Sequence, residues 1–197
     1  GSEIFVDNKK RGTVETPDGS FEIVGVAPGT HTVIVAEDTT WPWIREFQST
    51  KATTVRFAPL QVAQNVAGGV LSNDSPTFEK AVALLNGYRE PVQSQPLLQG
   101  DARAWVVGTN IHAQKSGEVF DVLALQQPLR SIAWFGDRDD VLIIATSNGI
   151  YAVDLEASAP RNFQPIYTGI EPTFVVNPTN TQELYVRDGE HIFELNI

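Results

Sequence analysis

The stretch SIAWFGDRDDVLIIATSNGIYAVDL, residues 131–155, is repeated 42 positions later in the same chain. The shift places apolar residues on apolar residues at six positions, namely Ile132 on Phe174, Trp134 on Val176, Leu142 on Leu184, Ile144 on Val186, Tyr151 on Phe193 and Val153 on Leu195. Short polar turns, residues 136–140 in the first copy and 177–181 in the second, separate the matched residues. Each copy is therefore predicted to form strand, turn, strand, turn and strand.

Residues 101–197 as a whole resemble the repeats of a β-propeller, since a period near 40 residues with three or four strands is typical of a propeller blade. Strands predicted at 104–107, 110–113 and 119–125 make a third, less regular unit. A closed propeller needs at least four blades, and this region supplies fewer. Three alternatives remain: the chain continues past residue 197, the partial propeller pairs with another chain through open blade edges, or the strands form a plain antiparallel meander.

Residues 1–60 have the pattern of a small antiparallel β-sandwich. Short β-rich runs at 4–6, 21–24, 30–36, 41–48 and 53–60 alternate with turns such as Ala27-Pro28-Gly29. The run at 30–36 is rich in β-branched residues and apolar on both faces, so we expect it to be a central strand.

The same region resembles a PEGA domain of bacterial and archaeal surface proteins. The resemblance lies in EIFVDNKKRGT at 3–13, TP at 16–17 and VAPGTHTVIV at 26–35, with WPW at 41–43 in the place of the family's aromatic. Asn8 replaces the usual Gly, and DGSF at 18–21 is similar instead to carboxypeptidase regulatory-like and other transthyretin-like sandwiches. Both resemblances imply a non-catalytic accessory module, and the first implies a prokaryotic cell envelope.

Residues 61–100 are rich in Gln, Gly, Asn, Ser and Pro, which predicts a boundary segment between residues 1–60 and 101–197. Within this segment, a Ser-Pro start and an Asn-Gly end predict one short helix near 76–86. The alternative is that residues 81–85 form the first strand of another blade. The apolar side chains of Phe78, Val82, Leu85 and Leu97 predict that the segment packs on the sandwich.

The composition narrows the classes of partner. A net charge of −10 and an isoelectric point near 4.7 disfavour nucleic acid and anionic membrane surfaces as partners. The chain has no cysteine, and no apolar run approaches the roughly 18 residues of a membrane helix, so we expect no membrane insertion within it. The PEGA resemblance implies an extracellular or cell-envelope location, with a membrane anchor expected before residue 1.

Trp41 and Trp43 are the candidate binding or interface residues. Two positions apart on an extended strand, both rings point to one side, and Pro42 lies between them. We expect the pair to pack on the neighbouring domain, because burial removes two of the largest apolar side chains from water. The alternative is a surface on which sugar rings stack.

The remaining polar clusters predict no catalytic, cofactor or metal site. The acidic loop at 137–140 could offer carboxylates to calcium, but its counterpart at 177–181 is a plain turn and no bidentate Glu follows, so a solvated turn is preferred. His31, His112 and His191 are far apart in sequence without a ligand at metal-site spacing.

The sequence therefore predicts a non-catalytic binding or scaffolding protein of a prokaryotic cell envelope that acts through protein–protein contacts. The alternatives are a carbohydrate-binding surface module, whose partner would be an envelope polysaccharide, and an accessory fragment of a larger enzyme.

Overall fold

The structure is a computed structural model that describes residues 1–15, 19–155 and 161–197. Among the described residues, strands account for 52% and helix for 6%, in four antiparallel sheets and one short helix. The predicted fold class, mostly β with antiparallel sheets and a single helix between them, is confirmed. The Thr-Pro pair at 16–17 lies outside the described residues.

The N-terminal sheet contains β1 (Ser2–Val6), β2 (Lys9–Val14), β3 (Gly29–Ala36) and β4 (Trp43–Ser49) in the order β2-β1-β3-β4. The prediction that residues 30–36 form a central strand is confirmed, because β3 pairs with both β1 and β4. Asp7 and Asn8 join β1 to β2 with φ of 50° and 62°, the left-handed pair that a tight hairpin turn requires.

Two strands predicted for this region, at 21–24 and 53–60, do not form. Side-chain packing replaces strand pairing at both places. The position of a Cβ on Gly12 would overlap the ring of Phe21, so that ring lies directly against the backbone of β2. Phe57 lies with its ring centroid 5.6 Å from that of Trp43 and 5.3 Å from that of Phe47. At these two places an alternating, β-rich sequence therefore packs its aromatic side chains on the N-terminal sheet without forming a hydrogen-bonded strand.

The repeat region folds into three further sheets, which we call the first, second and third repeat sheets. The first contains β6 (Leu97–Gln99), β7 (Ala102–Val107), β8 (Asn110–Lys115) and β9 (Glu118–Ala124). The second contains β10 (Ser131–Trp134), β11 (Val141–Thr146), β12 (Gly149–Asp154) and β13 (Phe163–Thr168). The third contains β14 (Thr173–Asn177), β15 (Asn180–Asp188), β16 (His191–Asn196) and, on its outer side, β5 (Ala67–Val70).

The strand registers reproduce the 42-residue repeat. In the second sheet Ile132 pairs with Ile144, and in the third Phe174 pairs with Val186, each residue shifted by 42. The next pairs agree as well, with Leu142 on Val153 and Leu184 on Leu195. The apolar residues matched in the sequence are therefore cross-strand neighbours on one face of each sheet.

The fourth strand of the third sheet comes from an unexpected part of the chain. β5 lies inside the segment 61–100 and pairs antiparallel with β16, so the outer side of the last repeat is covered by residues that precede the first repeat. Gly68 allows the close approach, because a Cβ there would lie 2.4 Å from the backbone oxygen of Glu194. A contact between distant segments leaves no repeat in the sequence, which is why the pattern did not reveal it.

The three repeat sheets form an open stack. The second sheet shares one apolar core with the first and another with the third and the N-terminal sheet. The face of the first sheet opposite its core carries polar residues such as Arg103 and His112. Arg103 on β7 lies across from Gln114 on β8, and His112 on β8 lies across from Trp105 on β7. The same face carries the exposed apolar side chains of Leu98, Val107 and Val119, so it is a mixed surface and not a purely polar one.

The other end of the stack is capped by α1 (Pro76–Gly87), which confirms the helix predicted near 76–86. The Ser75 hydroxyl accepts a hydrogen bond from the Phe78 backbone N–H, as an N-cap should. The prediction that this segment packs on the sandwich is wrong for the helix, because Ala81 and Leu85 pack with Tyr185 and Ile192 of the third sheet. The third sheet has an apolar outer face, and the helix buries it.

Candidate functional site

The two predicted site residues lie at the junction between the N-terminal sheet and the repeat sheets. Trp43 is 2% exposed and belongs to the core cluster that contains residues of β11, β12 and β15. Trp41 is partly buried against the same cluster. A ring as deeply buried as that of Trp43 offers no face on which a sugar could stack.

A buried ion pair lies beside Trp43. The Arg45 guanidinium donates to Asp154 Oδ2 at 2.8 Å, and the two side chains are 8% and 6% exposed. The guanidinium carbon also lies 5.1 Å from the centre of the Trp43 ring, within the range of a cation–π interaction. Because β4 carries Arg45 and β12 carries Asp154, this pair joins the two parts of the chain.

Two side-chain amides from the second repeat sheet complete the junction. Asn162 binds both backbone groups of Ile44, accepting from its N–H at 2.9 Å and donating to its C=O at 3.0 Å. The same Asn162 nitrogen donates to Asp154 Oδ2 at 2.6 Å. Gln164 accepts from the Val62 N–H at 3.1 Å. Asn162 acts as a substitute peptide group for β4, which lies at the edge of its sheet and would otherwise expose unpaired backbone groups, and Gln164 does the same for the segment around Val62.

The sequence analysis missed Arg45, Asp154, Asn162 and Gln164. A signal for the first was present: Arg45 lies between Trp43 and Phe47 on the inward face of an alternating strand, where a charge is expected only with a partner. The partner is 109 residues away in the chain, so no local pattern could indicate it.

The carboxylates of the acidic loop at 137–140 are paired with side chains of the same chain. Arg138 makes two hydrogen bonds of 2.8 Å with the Asp140 carboxylate, and the Asp137 carboxylate accepts from the Thr181 hydroxyl. Lys115 donates to Asp139 at 2.7 Å, which lowers the pKa of the Asp139 carboxyl below its usual value. Within the described ranges, no group of three or more His, Asp or Glu side chains is placed to hold a metal ion.

Two of the three histidines lie beside carboxylates. His31 Nδ1 is 2.6 Å from Asp7 Oδ2, and this hydrogen bond raises the pKa of His31 and lowers that of Asp7. His112 Nδ1 is 2.7 Å from Asp121 Oδ1, and its ring stacks on Trp105. The first pair joins the β1–β2 turn to β3, and the second joins β8 to β9.

An open cleft, which we call the end cleft, lies where the connections between the first, second and third repeat sheets meet. Its first lobe, about 290 Å³, is lined by Leu125, Gln126, Gln127, Thr146, Ser147, Asn148, Tyr151 and Phe163. Its second lobe, about 380 Å³, shares Gln127 and Ser147 with the first and extends to Arg130, Glu171 and Thr173. Residues 127–129 and 169–172 differ by the 42-residue repeat and are the connections that lead into the second and third repeat sheets.

The first lobe combines aromatic and uncharged polar groups. The Tyr151 and Phe163 rings stack with centroids 4.5 Å apart and planes inclined by 27°. The Tyr151 and Thr146 hydroxyls both donate to Asn148 Oδ1, at 3.2 and 2.7 Å. These contacts fix the Asn148 side chain with its amide oxygen occupied, so that its NH₂ group is the donor that it presents.

Known proteins supply no further information on this chain: no protein family, curated protein or solved structure is found to match it. The helical part of the described chain falls short of the length and hydropathy that a membrane-crossing helix requires. The PEGA-like resemblance of the N-terminal region stays a prediction.

Proposed function

We propose that this protein is a non-catalytic scaffold of a prokaryotic cell envelope, which holds its N-terminal sheet and its repeat sheets as one rigid body for protein partners. The observation that carries the proposal is the buried polar junction in which Asp154 Oδ2 accepts hydrogen bonds from both Arg45 and Asn162. Any hinge motion there would separate a buried charge from its partner, at a cost of several kcal/mol. A junction that holds the two parts of the chain in one arrangement supports a scaffolding role.

The first repeat sheet offers a surface for a protein partner. Leu98, Val107 and Val119 are 70%, 53% and 61% exposed, and their strand registers place them on one face of that sheet. Apolar residues grouped on one exposed face, with Arg103 and Asp121 among them, favour contact with another protein. The envelope setting is supported by the PEGA-like strings at 3–13 and 26–35.

Rigidity is measurable because the chain contains no cysteine. Introducing Lys51→Cys and Asn110→Cys allows two spin labels to be placed, one beside β4 and one at the start of β8, and their separation to be measured by pulsed electron resonance. We expect one narrow distance distribution, which the added change Asp154→Asn broadens. A broad distribution in the otherwise unaltered chain would refute the scaffold.

The partner surface is tested separately. Protein captured from an envelope fraction by the parent chain should be lost with the double variant Leu98→Ser and Val119→Ser. The matched control is Ile170→Ser, which changes an aliphatic side chain that is 82% exposed and lies elsewhere. Capture that survives the double variant would contradict the proposed surface.

A further inference from the structure

We propose that the end cleft binds a neutral oligosaccharide, with the ring of Phe163 as its stacking platform and the side chains of Gln126, Gln127 and Asn148 as hydrogen-bonding partners. This site goes beyond the scaffold role and lies apart from Trp41 and Trp43.

The charges of the end cleft select an uncharged ligand. The eight residues that line the first lobe include no charged side chain. In the second lobe Arg130 lies 3.6 Å from Glu171, so opposite charges are paired with each other. The chain carries a net charge of −10, which repels polyanions in general. Phosphorylated and acidic ligands therefore have no counter-charge to bind, and a neutral one incurs no repulsion.

The polar groups of the cleft match hydroxyl groups. A sugar hydroxyl both donates and accepts hydrogen bonds, and its best partners are amides and hydroxyls, which do the same. Gln126 and Gln127 are exposed, and the NH₂ group of Asn148 is directed outward as a donor by the two hydroxyls that occupy its oxygen. The Ser147 side chain adds a hydroxyl at the point where the two lobes meet.

The aromatic pair supplies the apolar part of the surface. Phe163 is 45% exposed, and the Tyr151 ring stacked on it fixes its orientation. A flat ring held in place binds the C–H face of a sugar with little loss of conformational freedom. Lobes of about 290 and 380 Å³ that adjoin each other provide a continuous surface of the size that small ligands occupy.

The position of the cleft disfavours a peptide. Peptides bind either along an open sheet edge or in an apolar groove. The end cleft is built instead from connections and turns at strand ends, and one of these is held in an unusual conformation. Glu171 has a φ of 58° and donates its backbone N–H to the Ser147 C=O at 2.8 Å. That bond ties the 169–172 connection to the turn after β11 and keeps the second lobe open.

The test is to titrate the whole chain with each probe and to measure binding by calorimetry and by ¹H–¹⁵N correlation spectra. The neutral probes are cellotetraose, tetra-N-acetylchitotetraose and mannotetraose. A tetragalacturonate is the charged probe, and a Gly-Ser-Thr peptide with blocked termini is the uncharged peptide probe. We expect at least one neutral tetrasaccharide to shift the amide signals of 125–130, 146–151 and 169–173, and the other two probes to leave them unchanged.

Variants assign the binding to the cleft. Phe163→Ala is expected to weaken binding on the order of tenfold, as for the loss of one stacked ring, and Gln127→Ala should weaken it as well without touching an aromatic contact. The control Val24→Ala shortens an exposed aliphatic side chain outside the cleft and should leave binding of the tetrasaccharide unchanged. The proposal is overturned if no neutral probe binds, if the tetragalacturonate or the peptide shifts the cleft signals instead, or if both cleft variants bind like the parent. The scaffold proposal stands in any of these cases.

Discussion

The buried ion pair between Arg45 and Asp154 gives the most decisive single test of the structure. Asp154→Asn keeps the shape of the side chain and an oxygen that can accept a hydrogen bond, but removes the negative charge beside the guanidinium. Breaking a buried ion pair by altering one partner costs about 3 to 5 kcal/mol. Because the side chains are only 8% and 6% exposed, water can do little to compensate.

We expect the free energy of unfolding to fall by about 3 kcal/mol, the lower end of that range, because Asn retains one acceptor. For a chain of this size the melting temperature should fall by roughly 6 to 12 °C. The assay is urea unfolding followed by tryptophan fluorescence, which reports on Trp43 beside Arg45. The slope with denaturant should be unchanged.

Two further variants make this measurement specific. Glu3→Gln removes a carboxylate paired with Lys10, but both side chains are about half exposed, at 46% and 50%, so the loss should be at most about 1 kcal/mol. Arg45→Met combined with Asp154→Leu replaces the pair by apolar side chains and should recover most of the stability. If Asp154→Asn unfolds within about 1 kcal/mol of the parent, the reasoning on this junction is wrong.

Three further results are expected. Trp43→Ala should cost about 3 to 5 kcal/mol in thermal or urea unfolding, the range for a truncated core aromatic, and a parent-like melt would contradict its burial. Gly68→Ala should release β5 from β16 and lower stability by about 1 to 3 kcal/mol, whereas Gly69→Ala, which meets no atom within 4 Å, should be tolerated; hydrogen exchange of the β16 amides distinguishes the two. The pKa of His31 is raised and that of Asp7 is lowered, so their pair stabilises the fold below about pH 6.5. This contribution is lost as the pH rises through the folded pKa of His31. It is also lost in acid, as Asp7 becomes protonated. His31→Gln should remove the alkaline part of this dependence, and an unchanged stability profile from pH 5 to 9 in the parent would exclude the pair as a contributor.

Local patterns in the sequence were sufficient to predict the elements of this protein that are held together by neighbouring residues. The repeat of residues 131–155 predicted strand positions in the second and third repeat sheets, because cross-strand apolar pairs must recur at the same spacing when the same unit is built twice. The helix was predictable because its N-cap, its proline and its final glycine all lie within one short stretch of sequence.

The tertiary structure alone decided which surfaces meet. β5 joins β16 across more than a hundred residues, and the helix covers the third repeat sheet instead of the N-terminal region. The strands predicted at 21–24 and 53–60 failed for the complementary reason, since β propensity describes a side chain that fits a half-buried surface and does not specify a backbone partner.

The candidate sites show the same division. The sequence pointed to Trp41 and Trp43 because two tryptophans on one side of a strand are visible locally. The sequence did not indicate the partner of Arg45 or the shape of the end cleft, since each depends on side chains that only folding brings together. A charge is stable in the protein interior only when an opposite charge, hydrogen-bonding groups and closely packed side chains surround it together. No single stretch of sequence encodes all three. The sequence by itself determined the strands, the turns and the repeat, and the packing of those strands decided where the junction and the cleft are formed.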